Sequence, residues 1–444
     1  MKTSAALAVF LTAALGVSTA VQAMDAVTSA TPKAEATPAK TETTAPIKEQ
    51  AKQQTKPAVK KDKKKQNAKK AKKIEKKRQK AKLAPIPESV NISAYLPDAK
   101  DATKALKLAI KSRARKIVFD KADIYHLQPV ALPGRTQIIL NEGVEIKAIA
   151  PEKADKNLPG LFNITRISRL IITGKGNNTI TALPGMPVFS MFSSNNIELR
   201  NLTLLNGTDA IKIDNCYTVK MQNLALDNFS NSGIEVTGGG WNSIYDTQFR
   251  KIAGCGAVVT PSVKGELPNI TFDNCEFFNS TSGFALRRPE KVVPVAKAPD
   301  KKPRPARFDI RSSRFFNNSG IDMELNGNIF NGNIRIENCV FDNQKNTALK
   351  LVDFSSNAEM VRLAVNNTAF RPGDFNLQTP IVYTSTLDAP AGNVKFNNSS
   401  VTSPVHKKAI AFELKKNAGS LDGILPVFAA DGSRINAILN VEKK

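Results

Sequence analysis

An all-β solenoid, the parallel β-helix, is the fold class this sequence predicts, and three observations carry it. Short strands of alternating apolar and polar residues recur from about Leu161 onward, the period-2 pattern of half-buried strands. A polar residue, most often Asn, follows each of them: Asn201 in IELRNLTL, Asn223 in VKMQNLAL, Asp246 in NSIYDTQF, Asn274 in ITFDNCEF, Ser312 in FDIRSSRF, Asn338 in IRIENCVF, Asn367 in LAVNNTAF and Asn398 in VKFNNSSV. A further strand, opening on a small residue, returns in coil after coil: DAIKID (209–214), SGIEVT (232–237), CGAVVT (255–260), SGFALR (282–287), SGIDME (319–324) and TALKLV (347–352). The Asn-type positions lie 22, 23, 28, 38, 26, 29 and 31 residues apart. The shortest intervals approach one coil of a β-helix, and the longer ones carry loop insertions.

The elements before the repeat follow in order. Residues 1–23 combine Lys2, an apolar run from Ala5 to Ala20 and the ending VQA at Ala23. That is the layout of a cleavable signal peptide, and the run is short for a retained membrane anchor, the competing reading. No later segment approaches 18 apolar residues, so the mature chain is expected to be secreted or periplasmic rather than transmembrane. Residues 24–83 are Ala/Thr/Pro-rich and then Lys-rich, with too few large apolar side chains to offset the entropy of ordering, and are expected to be disordered.

The net charge of +25 is uneven: residues 1–83 hold 20 Lys/Arg against 6 Asp/Glu, and the remainder 44 against 33. The run KKDKKKQNAKKAKKIEKKRQKAK, from Lys60 to Lys82, reads either as a solvated linker or as an attachment to an acidic polysaccharide or anionic envelope surface. Nucleic acid is not expected, because no aromatic side chains interleave the lysines. The β-helix domain is expected over 84–444. It opens with an amphipathic helix in DATKALKLAIKSRA, then strands in KIVFD, IYHLQPVAL and RTQIILNEGVEIKAI.

The Asn-type residues have a physical reason. Two strands that meet at a tight bend need one residue in the left-handed region, which Asn tolerates better than other non-glycine residues. Stacked coils then let the amides bond along the column. A leucine-rich horseshoe would instead show Leu at fixed positions and a helical half-repeat, and neither is present. The cysteines Cys216, Cys255, Cys275 and Cys339 have no metal-ligand spacing. Cys275 and Cys339 fall in one inward column with Ser313 between them, ~9.6 Å apart and too far to bridge, so buried thiols are expected. His126 and His406 are the only histidines, which leaves little room for a histidine base.

On these residues the chain resembles the right-handed parallel β-helix superfamily of pectate lyases and polygalacturonases, from about Val90 to Thr402. The segment from DATKALKLAIK to LPGRTQIIL is similar to that group's N-terminal helix and first strands, where the helix caps the open end. The resemblance implies an acidic polysaccharide lying against the sheet of small-residue strands, and a lyase or hydrolase reaction. The enzymes' catalytic motifs are not matched: NGTDAIKID offers Thr208 and Asp209, but no Asp-Asp pair, Gly-His-Gly or Asp-Pro-His-Asp occurs.

Alternation of the small-residue strands predicts two outward columns: Lys212, Glu235, Val258, Ala285, Asp322, Lys350, and Asp214, Thr237, Thr260, Arg287, Glu324, Val352. The expected pairs are Lys212 with Glu235, Asp322 with Lys350, and Arg287 with Glu324. They read either as exposed charge ladders or as a site. In the second reading Arg287, Asp322, Glu324 and Lys350 are the catalytic candidates, while Lys212, Asp214, Glu235, Trp241 and Arg288 bind substrate. Asp322 and Glu324 qualify crudely as a glycosidase pair; for β-elimination Arg287 or Lys350 serves as base. No cofactor is expected, Ca²⁺ being the one ion that Asp322 and Glu324 could hold, though two cations beside them make a poor cage. The insertion at about 288–306, within the basic 287–307 loop, reads as a surface insertion or as a cationic clamp for an acidic polymer. The expected oligomeric state is a monomer.

Overall fold

The computed structural model describes residues 86–96, 101–151, 155, 158–262, 268–287, 306–327, 332–344, 346–354, 361–372, 381–385, 394–402, 410–414, 427–428, 434–435 and 441–443. They belong to a unit that begins at Leu83. The signal peptide, the Lys60 to Lys82 run, Arg288 and His406 lie outside the described residues.

Among the described residues the chain winds through parallel strands in two sheets, one of twelve strands and one of twenty-three. The twelve-stranded sheet gathers the small-residue strands: Phe189–Phe192, Asp209–Asp214, Ser232–Thr237, Cys255–Thr260, Ser282–Leu286, Met323–Asn326 and Leu349–Val352 pair in succession. The larger sheet covers two flanks, because Asn195–Leu205 and Tyr217–Asp227 run over the Asn corner without interruption. Each strand therefore meets its equivalents in the coils before and after, the arrangement of a parallel β-helix.

The Asn corners behave as the sequence reading requires. Asn201, Asn223, Asp246, Asn274, Ser312, Asn338, Asn367 and Asn398 all have φ between 46° and 54°. In Asn195–Leu205 the buried residues are Ile197, Leu199, Leu202 and Leu204. The bend uses two consecutive outward residues, Arg200 and Asn201, and so returns the alternation to the core on the second flank. Amides bond along the column: Asn223 Nδ2 donates to Asn201 Oδ1 at 3.0 Å, Asn274 to Asp246 at 2.7 Å and Asn398 to Asn367 at 2.7 Å.

The residue after each of the later corners closes the turn from inside. Thr247, Cys275, Ser313, Cys339, Thr368 and Ser399 each donate to the carbonyl two residues earlier. Cys275 N–H also donates to Ser313 Oγ of the next coil at 3.2 Å. All four cysteines are buried free thiols. Burial pushes Cys255, Cys275 and Cys339 up to about 12 and Cys216 to about 11.

One column of the core is a ladder of parallel rings. Phe249, Phe277, Phe315, Phe341 and Phe370 stack with centroids 4.4, 4.6, 4.7 and 4.9 Å apart. The helix Ala102–Lys111 buries Ala102, Thr103, Ala105, Leu106 and Ala109, packing on the strand Ile124–Leu127 and the short turn Ile92–Tyr95. Asp101 caps it by accepting from Thr103 N–H at 2.8 Å. This is the capping helix expected at the first coil. No helix among the described residues is long and apolar enough to cross a membrane.

Several of the longer coils gain their extra residues at the same point of the chain order. Segments 238–241, 261–269, 287–305, 327–331 and 353–361 all leave the end of a strand in the twelve-stranded sheet and precede a strand of the first flank. The basic 287–307 segment is one of these.

Candidate functional site

Two charged groups stand on the twelve-stranded face. In the first, Lys212 Nζ lies 2.9 Å from Glu235 and 3.7 Å from Asp209, as register places Lys212 opposite Glu235. Asp209 sits beneath them, 3% exposed, and accepts from Ser232 N–H at 3.1 Å, Ser232 Oγ at 2.5 Å and Asn231 Nδ2 at 2.7 Å. Burial alone would lower the Lys212 pKa, but the carboxylates of Glu235 and Asp209 outweigh it and the net shift is upward. Asp214, at the outward and exposed end of the same strand, has its pKa raised by partial desolvation first and by the charge of Glu235 second. Phe192 pairs with Asp214 in the preceding coil, is exposed and has the Arg166 guanidinium 5.9 Å from its ring.

The second group corrects the expected columns. Met323, not Ile321, is the partner of Phe284, and Glu324 stands between Ala285 and Lys350. Lys350 Nζ is 3.8 Å from Glu324. Arg287 follows Leu286, whose partner is Leu325, so it falls level with Asn326 rather than Glu324. Asp322 is 2% exposed and accepts from Asn318 Nδ2 at 2.7 Å. The four expected catalytic residues do not form one exposed group: Glu324 and Lys350 pair, Asp322 is buried, and Arg287 is exposed just past the end of its strand. The physical reason lies in the bonds from the preceding coil. The N–H groups of Gly283 and Phe284 both donate to the Asp322 carbonyl, so the coil enters the sheet two residues later than its Ser-Gly opening suggests.

That displacement also removes the Asp322–Glu324 seat for Ca²⁺, since one carboxylate is buried against Asn318 and the other is ion-paired. No group of three or more His, Cys, Asp or Glu able to hold a metal occurs among the described residues.

Trp241 lies where the chain passes from the twelve-stranded sheet to the first flank, and is 67% exposed. It overlooks an open depression of about 230 Å³ lined by Asn242, Ser243, Thr271, Arg307, Asp309 and Arg311. Arg307 Nε and an Arg311 terminal nitrogen reach the same Asp309 oxygen at 2.7 and 2.9 Å. Sequence reasoning named Asp209 only within NGTDAIKID and Arg307 only as the end of the basic 287–307 loop, and it passed over Asp309 and Arg311. The signal for Arg307, Asp309 and Arg311 was available in ARFDIR, where alternation sets all three on one face. Asp209 carries no such signal, because its role depends on the neighbouring coil.

The fold is found in other proteins. The family model described as "Right handed beta helix region" matches residues 167–289. The fold is shared with the family 28 exopolygalacturonase of Yersinia enterocolitica, at TM-score 0.55 and 11% identity, covering 79% of each chain. An exopolygalacturonase from Thermotoga maritima gives 0.57 at 13% identity, covering 82% of this chain and 97% of its own. The tailspike protein of E. coli bacteriophage HK620 gives 0.52 at 10% identity, covering 76% of this chain and 67% of its own. No curated protein matches the sequence. The molecule is a right-handed parallel β-helix.

Proposed function

We propose that the protein is an exported glycan-binding β-helix that lays an acidic polysaccharide across its twelve-stranded face, and that the reaction of this face is hydrolysis of a glycosidic bond by Asp214 and Glu235. The observation that carries the reading is the placement of two outward carboxyls on adjacent coils, Asp214 and Glu235, with Lys212 paired to one of them. Asp214 has its pKa raised, so it keeps its proton to higher pH than an ordinary aspartate. Glu235 is ion-paired with Lys212 at 2.9 Å. Environments that differ in this way divide the roles of acid and base between two carboxyls.

Asp214 pairs with Thr237, two residues beyond Glu235. Strand spacing and rise then put the two Cα atoms about 8 Å apart, which leaves the roughly 6.5–9.5 Å carboxyl separation of an inverting pair within reach of the two side chains. In this mechanism Asp214 protonates the leaving oxygen, Glu235 takes a proton from the attacking water, and the anomeric centre inverts. Lys212, Arg287 and Lys350 supply the cations on the face for the polymer's carboxylates. Two of the solved structures with this fold are named exopolygalacturonases, which sets the first polymer to try.

The test is incubation with polygalacturonate and other uronate polymers, following reducing ends, product anomers by NMR and unsaturated-product absorbance. Inverted products without unsaturated ends are expected, and Asp214→Asn and Glu235→Gln should each lower kcat by about 10²–10⁴. Because Asp214 must be protonated, activity should fall as pH rises through its raised pKa, with the alkaline limb above the ordinary aspartate range. The sign for stability is the same: ionising Asp214 costs the fold, so stability attributable to it is lost as pH rises, and Asp214→Asn removes that loss. Unsaturated products would instead assign β-elimination to Arg287 or Lys350, and absence of turnover on the whole panel would defeat the enzyme reading.

A second reading rests on the excess of 20 Lys/Arg over 6 Asp/Glu in residues 1–83: a non-catalytic envelope protein anchored by the run from Lys60 to Lys82. Salt-sensitive retention on the envelope that survives deletion of that run would exclude it.

A further inference from the structure

We infer that the depression beside Trp241 is a separate subsite for a hexuronate residue, with Trp241 as the stacking platform and Arg307 and Arg311 as the carboxylate clamp. The subsite takes its ligand class from the glycan-binding reading, but it lies on the first flank and uses neither Asp214 nor Glu235.

Four observations converge on it. Trp241 is the most exposed large apolar side chain among the described residues, at 67%, and the amphipathic face of an indole is the usual partner of a pyranose ring. Beside it Asn242 is 1% exposed. Its Oδ1 accepts from Val219 N–H at 3.3 Å, while its Nδ2 has no partner. A buried donor without a partner is costly, and Asn242 is one of the residues that line the depression. Arg311 Nε is likewise buried and unpartnered.

The charge balance is the fourth observation. Asp309 is the only carboxylate lining the depression, and it faces more than one guanidinium. Arg307 and Arg311 both bond its Oδ2, and Arg335 stands opposite it in the next coil. Asp273 and Glu337 stand opposite Arg311 in the coils before and after, but the lining itself sets two guanidinium groups against one carboxylate, and their planar forks suit the two-oxygen geometry of a carboxylate. The hydroxyls of Ser243 and Thr271, which occupy one outward column, supply the remaining hydrogen bonds a sugar ring needs. The side chain of Arg307 is 51% exposed, so an entering carboxylate can reach it without displacing Asp309.

Trp241 is the single tryptophan of the chain, so its emission reports on this subsite alone. The experiment is a fluorescence titration of the full chain with oligogalacturonides, with cello-oligosaccharides of equal length as the neutral control. Saturable change with the acidic oligomers is expected, and a response at least tenfold weaker with the neutral ones. Arg307→Ala should weaken binding by roughly 10- to 100-fold, the loss of a charge-assisted contact. Arg307→Lys keeps the charge opposite Asp309 and guards against a folding defect, which a thermal melt also checks; it should recover part of the affinity. Trp241→Phe, followed by calorimetry, should lower affinity without moving the melt.

Asp214→Asn with Glu235→Gln should leave the titration unchanged, which separates failure here from failure of the hydrolytic pair. Emission that does not respond to millimolar oligogalacturonide overturns the proposal. So does an equal response to the neutral oligomers, or one that Arg307→Ala leaves intact.

Discussion

A left-handed backbone position sets a sharp demand on one side chain, and this chain meets it with the same answer repeatedly. At Asn274 the backbone holds φ 53° while the amide donates to Asp246 at 2.7 Å. Alanine there keeps the strained conformation and loses the ladder bond, whereas glycine loses only the bond. Asn274→Ala should therefore cost about 1–2 kcal/mol and Asn274→Gly less, read as a shift in denaturant midpoint. Equal stability of Asn274→Ala and the parent would contradict the account. The demand is local, which is why every one of these corners could be read from sequence. The roles of Asp209 and Asp322 are not local: one is fixed by Ser232 of the next coil and the other by the bonds from Asn318, Gly283 and Phe284.

At the scale of a strand, alternation gives the inward and outward faces but not the register between coils. Phe315 shows how firmly the inward side is tied: its ring stacks on Phe277 at 4.6 Å and on Phe341 at 4.7 Å. Phe315→Ala should cost about 3–5 kcal/mol. Phe316→Ala, on the solvent side where Phe316 stacks on Phe278, should cost about 1 kcal/mol. Comparing the two by chemical denaturation checks the assignment of faces. Register is where sequence reasoning failed. In the coil of residues 319–326 the Ser-Gly opening matches its neighbours, yet the strand starts only at Met323. A shift of two residues preserves inside and outside, so no break in alternation betrays it. That silent slip separated Asp322 from Lys350 and put Glu324 in its place.

For the whole molecule, stability accumulates coil by coil through nearest-neighbour stacking. The sheet pairings begin at Ser89, within the unit that starts at Leu83. A chain shortened to Leu83–Lys444 should keep the thermal midpoint of the full chain while its adsorption to polyanions weakens and yields at lower salt, which melting curves and retention on an anionic matrix would measure. The point of the chain order at which these coils take up extra residues has a consequence for how such a protein can be altered. Segments 238–241, 261–269 and 287–305 differ in length, but the strands they join remain paired in sequence from coil to coil. Recognition segments could thus be grafted, lengthened or exchanged at this point, one coil at a time, while the stacked rings and Asn corners serve as an unchanging chassis.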